Sequence, residues 1–321
     1  MKLKHLLFIS TIVVALTSCK SHKANEDSSI SDDVVTQVVN FDGVKAYGLV
    51  KAQCDFGPRV PGTPAHSKCA EWLEKSLKDN CDTMIVQQGQ VTTFDGKALN
   101  IKNFVGSFNP DNSDRILLLA HWDCRPWADN DPDPAKQKEP VMGANDAASG
   151  VAVLLQLAQL MKEKKPSIGV DILLVDAEDW GDNNVEDSWA LGTQYWAAHP
   201  HVEGYTARFG ILLDMVGAKG AKFFKEPHSL YYAQDVVNEV WDVAQKSGYG
   251  AYFIDKDGEG FVTDDHVVIN EMGIECIDII DTRQQGTFFA GWHTTDDTIH
   301  WIDQNVLKAV GQVIANVVYS Y

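Results

Sequence analysis

Carboxylates and imidazoles stand at the ends of apolar runs along much of this chain. "ILLLAHWDC" runs from Ile116 into His121 and Asp123, "GANDAASG" carries Asp146, and "LLVDAEDWGD" carries Glu178 and Asp179 side by side. "ILLDMVG" carries Asp214, "VTDDH" carries Asp264 and Asp265, and "GWHTTDDT" carries Trp292 and His293. One at a time, these residues have structural explanations. Asp146 suits a helix N-cap, Asp214 can cap a turn, His293 can be a hydrogen-bonded core histidine, and Asp296 and Asp297 favour the start of a following helix. Together they call for a cation, because unpaired carboxylates meeting at one edge repel one another. Imidazole with carboxylates and no thiolate suits zinc.

The elements that would bring these residues together follow from apolar patterning. Strands are expected over 84–92, 100–108, 115–121, 168–176, 208–214, 251–255 and 274–280, and helices over 66–79, 146–162, 188–198, 231–247 and 302–319. The first two strands, joined by "FDGKA", read as a hairpin with Asp95-Gly96 in the turn. From residue 115 onward strand and helix alternate, which predicts a single α/β domain with a mixed, mostly parallel central sheet and helices on both faces. In such a sheet ligands bind beyond the carboxyl ends of the strands, where the polar residues stand.

A chain of 321 residues, 45% apolar, can bury one large core over residues 34–321. A formal charge of -18 argues against nucleic acid as a partner and suits either a substrate with a free amino group or simple solubility. The first residues read as an address: Lys2, Lys4 and His5 precede an apolar stretch, Leu6 to Leu16, too short to span a membrane. Leu16-Thr17-Ser18-Cys19 resembles a bacterial lipobox, which implies a signal peptide over 1–18, lipidation of Cys19 and an exported protein anchored to a membrane. A plain secretory signal is the alternative. Residues 19–33, polar after Cys19, read as anchor and flexible tether. Besides Cys19 the cysteines are Cys54, Cys69, Cys81, Cys124 and Cys276. An expected helix separates Cys69 from Cys81, which argues against their pairing, while Cys54 with either remains open.

"FGPRVPGT", "AHWDCRPWADND", "GANDAASG", "DAEDWG", "LLDMVG", "TDDH" and "GWHTTDDT" resemble, in order and spacing, the glutaminyl-peptide cyclotransferases, relatives of the zinc aminopeptidases. The resemblance runs from about Cys54 to the C-terminus. It implies a zinc-aminopeptidase-like fold, one zinc per chain held by Asp146, Asp179 and His293, and Glu178 as general acid/base. The cyclases more usually carry Glu where this chain has Asp179. Asp264 would form a hydrogen-bonded acidic cluster with Asp214 near Glu178, with Asp265 the less favoured neighbour. His121 and Asp123 would be hydrogen-bonded groups behind the metal set. Trp180 and Trp292 would wall the pocket, with Trp189 serving as wall or core.

The implied reaction is conversion of N-terminal glutamine of peptides and proteins to pyroglutamate with release of ammonia; separately, the chain is expected to be a monomer. The runner-up is an aminopeptidase with a second zinc at His121 and Asp214. Trp122, Arg125, Pro126 and Trp127 favour the cyclase branch, whereas "GANDAASG" is shared by both.

Overall fold

A computed structural model of the chain describes residues 39–283 and 286–321. The expected signal peptide, the expected lipidation site at Cys19 and the expected tether lie outside these residues. The continuous apolar runs form the parallel centre of the sheet. β3 (Arg115–His121) and β4 (Gly169–Val175) are buried along their whole length and pair in parallel, and β3 also pairs in parallel with β5 (Phe209–Leu213). β8 (Cys276–Ile279) continues the parallel series beside β5. On the opposite flank the hairpin of β1 (Thr83–Thr92) and β2 (Ala98–Phe108) joins antiparallel to β4, giving the order β1-β2-β4-β3-β5-β8. Runs buried on both faces need apolar side chains at every position, which is why these strands show no alternation.

Alternate residues of the central strands serve opposite layers. Ile116, Leu118, Ile172, Leu174, Ile211 and Leu213 join the large core beneath α1 (Gly43–Cys54), α2 (Pro64–Lys78), α3 (Ala148–Glu163), α5 (Pro227–Lys246) and α7 (Gln304–Ser320). Leu117, Leu119, Leu173, Val175 and Leu212 face Trp196 of α4 (Leu191–Ala198) and Ile269 of α6 (Asp265–Glu271). Each fully buried leucine contributes roughly 1.5–3 kcal/mol relative to exposure. Helices therefore cover both faces, as expected. No helix among the described residues is long and apolar enough to cross a membrane.

Several features depart from expectation, the short elements β6 and α6 among them. The strand expected at 251–255 is not part of the main sheet: β7 (Phe253–Asp257) pairs in parallel with β6 (Phe223–Lys225) in a separate two-stranded sheet. α1 lacks an obvious apolar stripe because its buried positions are Gly43, Ala46, Val50 and Gln53, of which only Val50 is a large apolar residue. The cysteines Cys54, Cys69, Cys81, Cys124 and Cys276 are all free thiols, so the open pairing of Cys54 is not made.

Two glycines of "GANDAASG" are required by close approach. A Cβ on Gly150 would lie 2.0 Å from the carbonyl oxygen of Leu213, where α3 crosses the end of β5. Gly143, with φ of +65°, would direct a Cβ to 2.3 Å from the carbonyl oxygen of Asp146. These contacts seat the start of α3 against the strand ends.

Candidate metal and catalytic site

Because β3, β4 and β5 run in parallel, their carboxyl ends deliver His121, Glu178 with Asp179, and Asp214 to one edge of the sheet. The loops before α3 and α7 bring Asp146 and His293 to the same place. His293 Nε2 lies 3.3 Å from Asp179 Oδ1 and 3.8 Å from Asp146 Oδ2. His121 Nε2 lies 3.0 Å from Asp146 Oδ1 and 3.2 Å from Asp214 Oδ1. Two buried sets thus share Asp146: Asp146, Asp179 and His293, and His121, Asp146 and Asp214, each with one candidate ligand atom per residue within 4.8 Å of the others. Two carboxylates and one imidazole with no thiolate form a donor set that fits zinc, and three protein ligands leave a position open.

Burial and close like charges shift the neighbouring groups. Burial pushes Glu178 well above the usual carboxylate range, and the charges of Asp264 and Asp179 add to this while His121 opposes it. Burial, with Asp146 and Asp264, pushes Asp214 up to about 7. Burial disfavours a charge on His121, yet hydrogen bonds to Asp123, Asp146 and Asp214 hold it well above the usual imidazole range. Glu178, Asp214 and Asp264 line a cavity of about 760 Å³, which Trp189, Trp292 and Phe288 also face. Trp292 stacks on His293 at 3.9 Å between ring centroids.

Side chains behind this layer set its geometry. Asp123 accepts the backbone amides of Glu178 at 3.1 Å and Asp179 at 3.3 Å, which aims two adjacent carboxylates in different directions. The fully buried Arg59, the arginine of "FGPRVPGT", donates to the carbonyl oxygens of Trp122, Met142 and Gly143 and so holds the loop leading to Asp146. Asp297 accepts the amides of Asn145 at 2.9 Å and Asp146 at 3.1 Å. Sequence reasoning missed the work of Arg59 and Asp297. The only signals were an arginine set among turn formers and one aspartate of an acidic pair.

Several expectations change. Asp146 does not cap α3: Ala147 occupies that position without a side-chain hydrogen bond, and the Asp146 carboxylate turns to His121 instead. Asp297 does not serve α7, whose N-cap is Asp303, because its oxygens are taken by the amides before α3. Among the described residues no hydrogen bond joins Asp214 to Asp264. Asp214 is bonded to His121, and Asp264 accepts the amide of Asp265 at the start of α6. Trp180 is not on the cavity wall: it packs with Leu99, Ile101 and Leu191 behind the site, its ring beneath the Lys97 ammonium at 4.1 Å. Trp189 does line the cavity. Trp122 is fully buried and stacks on His66 at 4.2 Å, away from the cavity wall.

The comparisons agree with this architecture. The model of peptidase family M28 matches residues 103–318. A glutaminyl cyclase from Bacteroides thetaiotaomicron, solved with N-acetylhistamine bound, superposes with a TM-score of 0.86 at 45% identity, covering 88% of this chain and 99% of that one. A Zn-dependent exopeptidase from Parabacteroides distasonis superposes equally well, at 0.86 and 47% identity, covering 88% of this chain and 100% of that one. The glutaminyl-peptide cyclotransferase of Drosophila melanogaster is 28% identical over 273 residues, which cover 77% of this chain and 72% of that protein. By the family match over most of its folded length, this chain belongs to peptidase family M28.

Proposed function

We propose that this protein converts N-terminal glutamine of peptides and proteins to pyroglutamate, releasing ammonia. The observation that carries the reading is the placement of Glu178 on the wall of an aromatic-lined cavity, beside the set Asp146, Asp179 and His293. The 45% identity to a bacterial glutaminyl cyclase supports it. In this reading Asp146, Asp179 and His293 hold one zinc per chain, which when bound supplies a Lewis acid for the side-chain carbonyl of the glutamine.

The chain's own groups handle the protons. Glu178, made more basic chiefly by burial and further by the charges of Asp264 and Asp179, takes a proton from the α-ammonium. The freed amine attacks the side-chain carbonyl carbon, and Glu178 returns its proton to the departing nitrogen, which leaves as ammonia. The α-nitrogen sheds a second proton as it becomes the lactam nitrogen, and Asp214 and Asp264, both raised by burial, are placed to accept it. No water is consumed. Trp189 and Trp292 narrow the cavity around one small side chain.

The second set, His121, Asp146 and Asp214, could hold a second metal in an alternative reading, an aminopeptidase hydrolysing N-terminal residues, where a metal pair would supply Lewis-acid chemistry for the attacking water. Export and anchoring through Cys19 accompany both readings, on the strength of the basic start and the apolar run before it. The deciding experiment is mass spectrometry of Gln-initiated and Leu-initiated peptides incubated with the purified protein. Loss of one ammonia from the first and no change in the second is expected. Release of free leucine would replace the cyclase with a peptidase.

A further inference from the structure

The loop after β3 carries a charge pair that reaches both halves of the proposed zinc set. Arg125, nearly all of whose side chain is buried, donates Nε and Nη2 to the two carboxylate oxygens of Asp129 at 2.8 and 2.6 Å. Its remaining nitrogen, Nη1, lies 3.2 Å from Asp179 Oδ1 and also donates to the carbonyl oxygens of Asp179 and Gly181. The guanidinium sits 5.1 Å from the Trp127 ring and 5.0 Å from the Trp189 ring, which restricts its rotation. Asp129 Oδ1 then lies 3.5 Å from His293 Nδ1, the ring nitrogen turned away from Asp146 and Asp179. The next residue, Asn130, donates its amide to the His293 carbonyl oxygen at 3.0 Å.

We propose that Arg125 and Asp129 are positioning residues that act as one unit, orienting Asp179 and His293 for metal binding. A carboxylate on Nδ1 fixes the imidazole tautomer that leaves Nε2 free to ligate, and a forked guanidinium holds the Asp179 carboxylate in register with it. Asp179 and His293 come from different loops of the fold, so a bridge between them sets their separation before any ion arrives. The inference rests on the reading of Asp146, Asp179 and His293 as the zinc set.

The test is zinc affinity by chelator competition, measured beside the melting temperature of the metal-free protein. Asp129→Asn, at a side chain 43% exposed, should weaken zinc binding roughly 10- to 100-fold in a metal-free protein that still unfolds cooperatively, with some lowering of its melting temperature from the loss of the Arg125 pair. Arg125→Lys should weaken binding as much as Arg125→Gln, since a single ammonium cannot serve both carboxylates. The double variant Arg125→Gln with Asp129→Asn should lose no more affinity than the worse single variant, because the pair works as a unit. Wild-type zinc affinity in Asp129→Asn, or losses that multiply in the double variant, overturns the proposal. His293→Ala separates the two inferences. If it still binds zinc, the ligand set is wrong; if it loses zinc while Asp129→Asn binds normally, only the positioning role falls.

Discussion

Asp123 holds Glu178 by its backbone: Oδ1 of Asp123 accepts the Glu178 amide at 3.1 Å, and Oδ2 accepts the amide of the next residue, Asp179, at 3.3 Å. The same Oδ1 lies 3.4 Å from His121 Nδ1. One buried carboxylate therefore organises the turn that presents the proposed base and a proposed ligand, and it also orients the imidazole beside them. This arrangement explains why the apolar strand β3 ends in His-Trp-Asp: the histidine and the aspartate face the site while Trp122 packs into the core.

Replacing Asp123 with Ala leaves both amides without an acceptor in a dry environment, and each buried unsatisfied group costs about 1–3 kcal/mol. The variant is expected to melt at a lower temperature and to lose turnover more than tenfold, as about 1.4 kcal/mol of misplacement at the base already costs a factor of ten. Thermal unfolding and kcat measured together check this. A variant with wild-type turnover would show that the turn holds its shape without Asp123.

Glu178→Gln keeps the shape of the side chain and removes its proton. Turnover should fall by roughly two to four orders of magnitude, the usual cost of losing a general acid/base, while zinc content stays at the wild-type level. Near-normal turnover would take Glu178 out of the proposed mechanism.

His121→Ala distinguishes the two overlapping sets that share Asp146. As a hydrogen-bonded neighbour of Asp123, Asp146 and Asp214, His121 should be dispensable for metal, leaving one zinc per chain and a moderate loss of turnover. Metal analysis of the purified protein reads the result. Two zinc ions in the wild type and one in the variant would favour the two-metal alternative.

Behind the cavity wall formed by His228 and Val262, Glu226 caps α5, accepting the amides of His228 and Ser229 at 2.8 and 2.6 Å. Burial opposes its charge, yet His266 and these amides hold it down at about 2 against an ordinary 4.5. A depressed carboxylate stabilises the fold above its unfolded pKa, and that stabilisation is lost as pH falls from 4.5 through about 2. Glu226→Gln should therefore cost about 3 kcal/mol near neutral pH, with the gap from wild type closing as the solution is acidified through that window. Urea unfolding across the range tests it, and a gap independent of pH would contradict it.

Much of this protein was determined by local physics that a sequence displays. β3, β4 and β5 are buried on both faces, so they had to be continuous apolar runs, and their parallel order made the polar residues at their carboxyl ends a candidate site before any coordinates. The grouping of Asp146, Asp179 and His293 was expected on the same basis, with the family resemblance supplying the choice among carboxylates. The tertiary structure decided what lies behind them. α1 was missed because its buried stripe, Val50 apart, is made of small and polar residues that pack closely on α3 and α7. Trp180 and Trp189 look alike in the chain, but one enters the core and the other the cavity wall, according to how the loop after β4 turns. Arg59 and Asp297 bond to backbone atoms distant in the chain. Backbone amides and carbonyls are the same at every residue, so such partners leave no trace in side-chain identity, and only the folded path of the chain selects them.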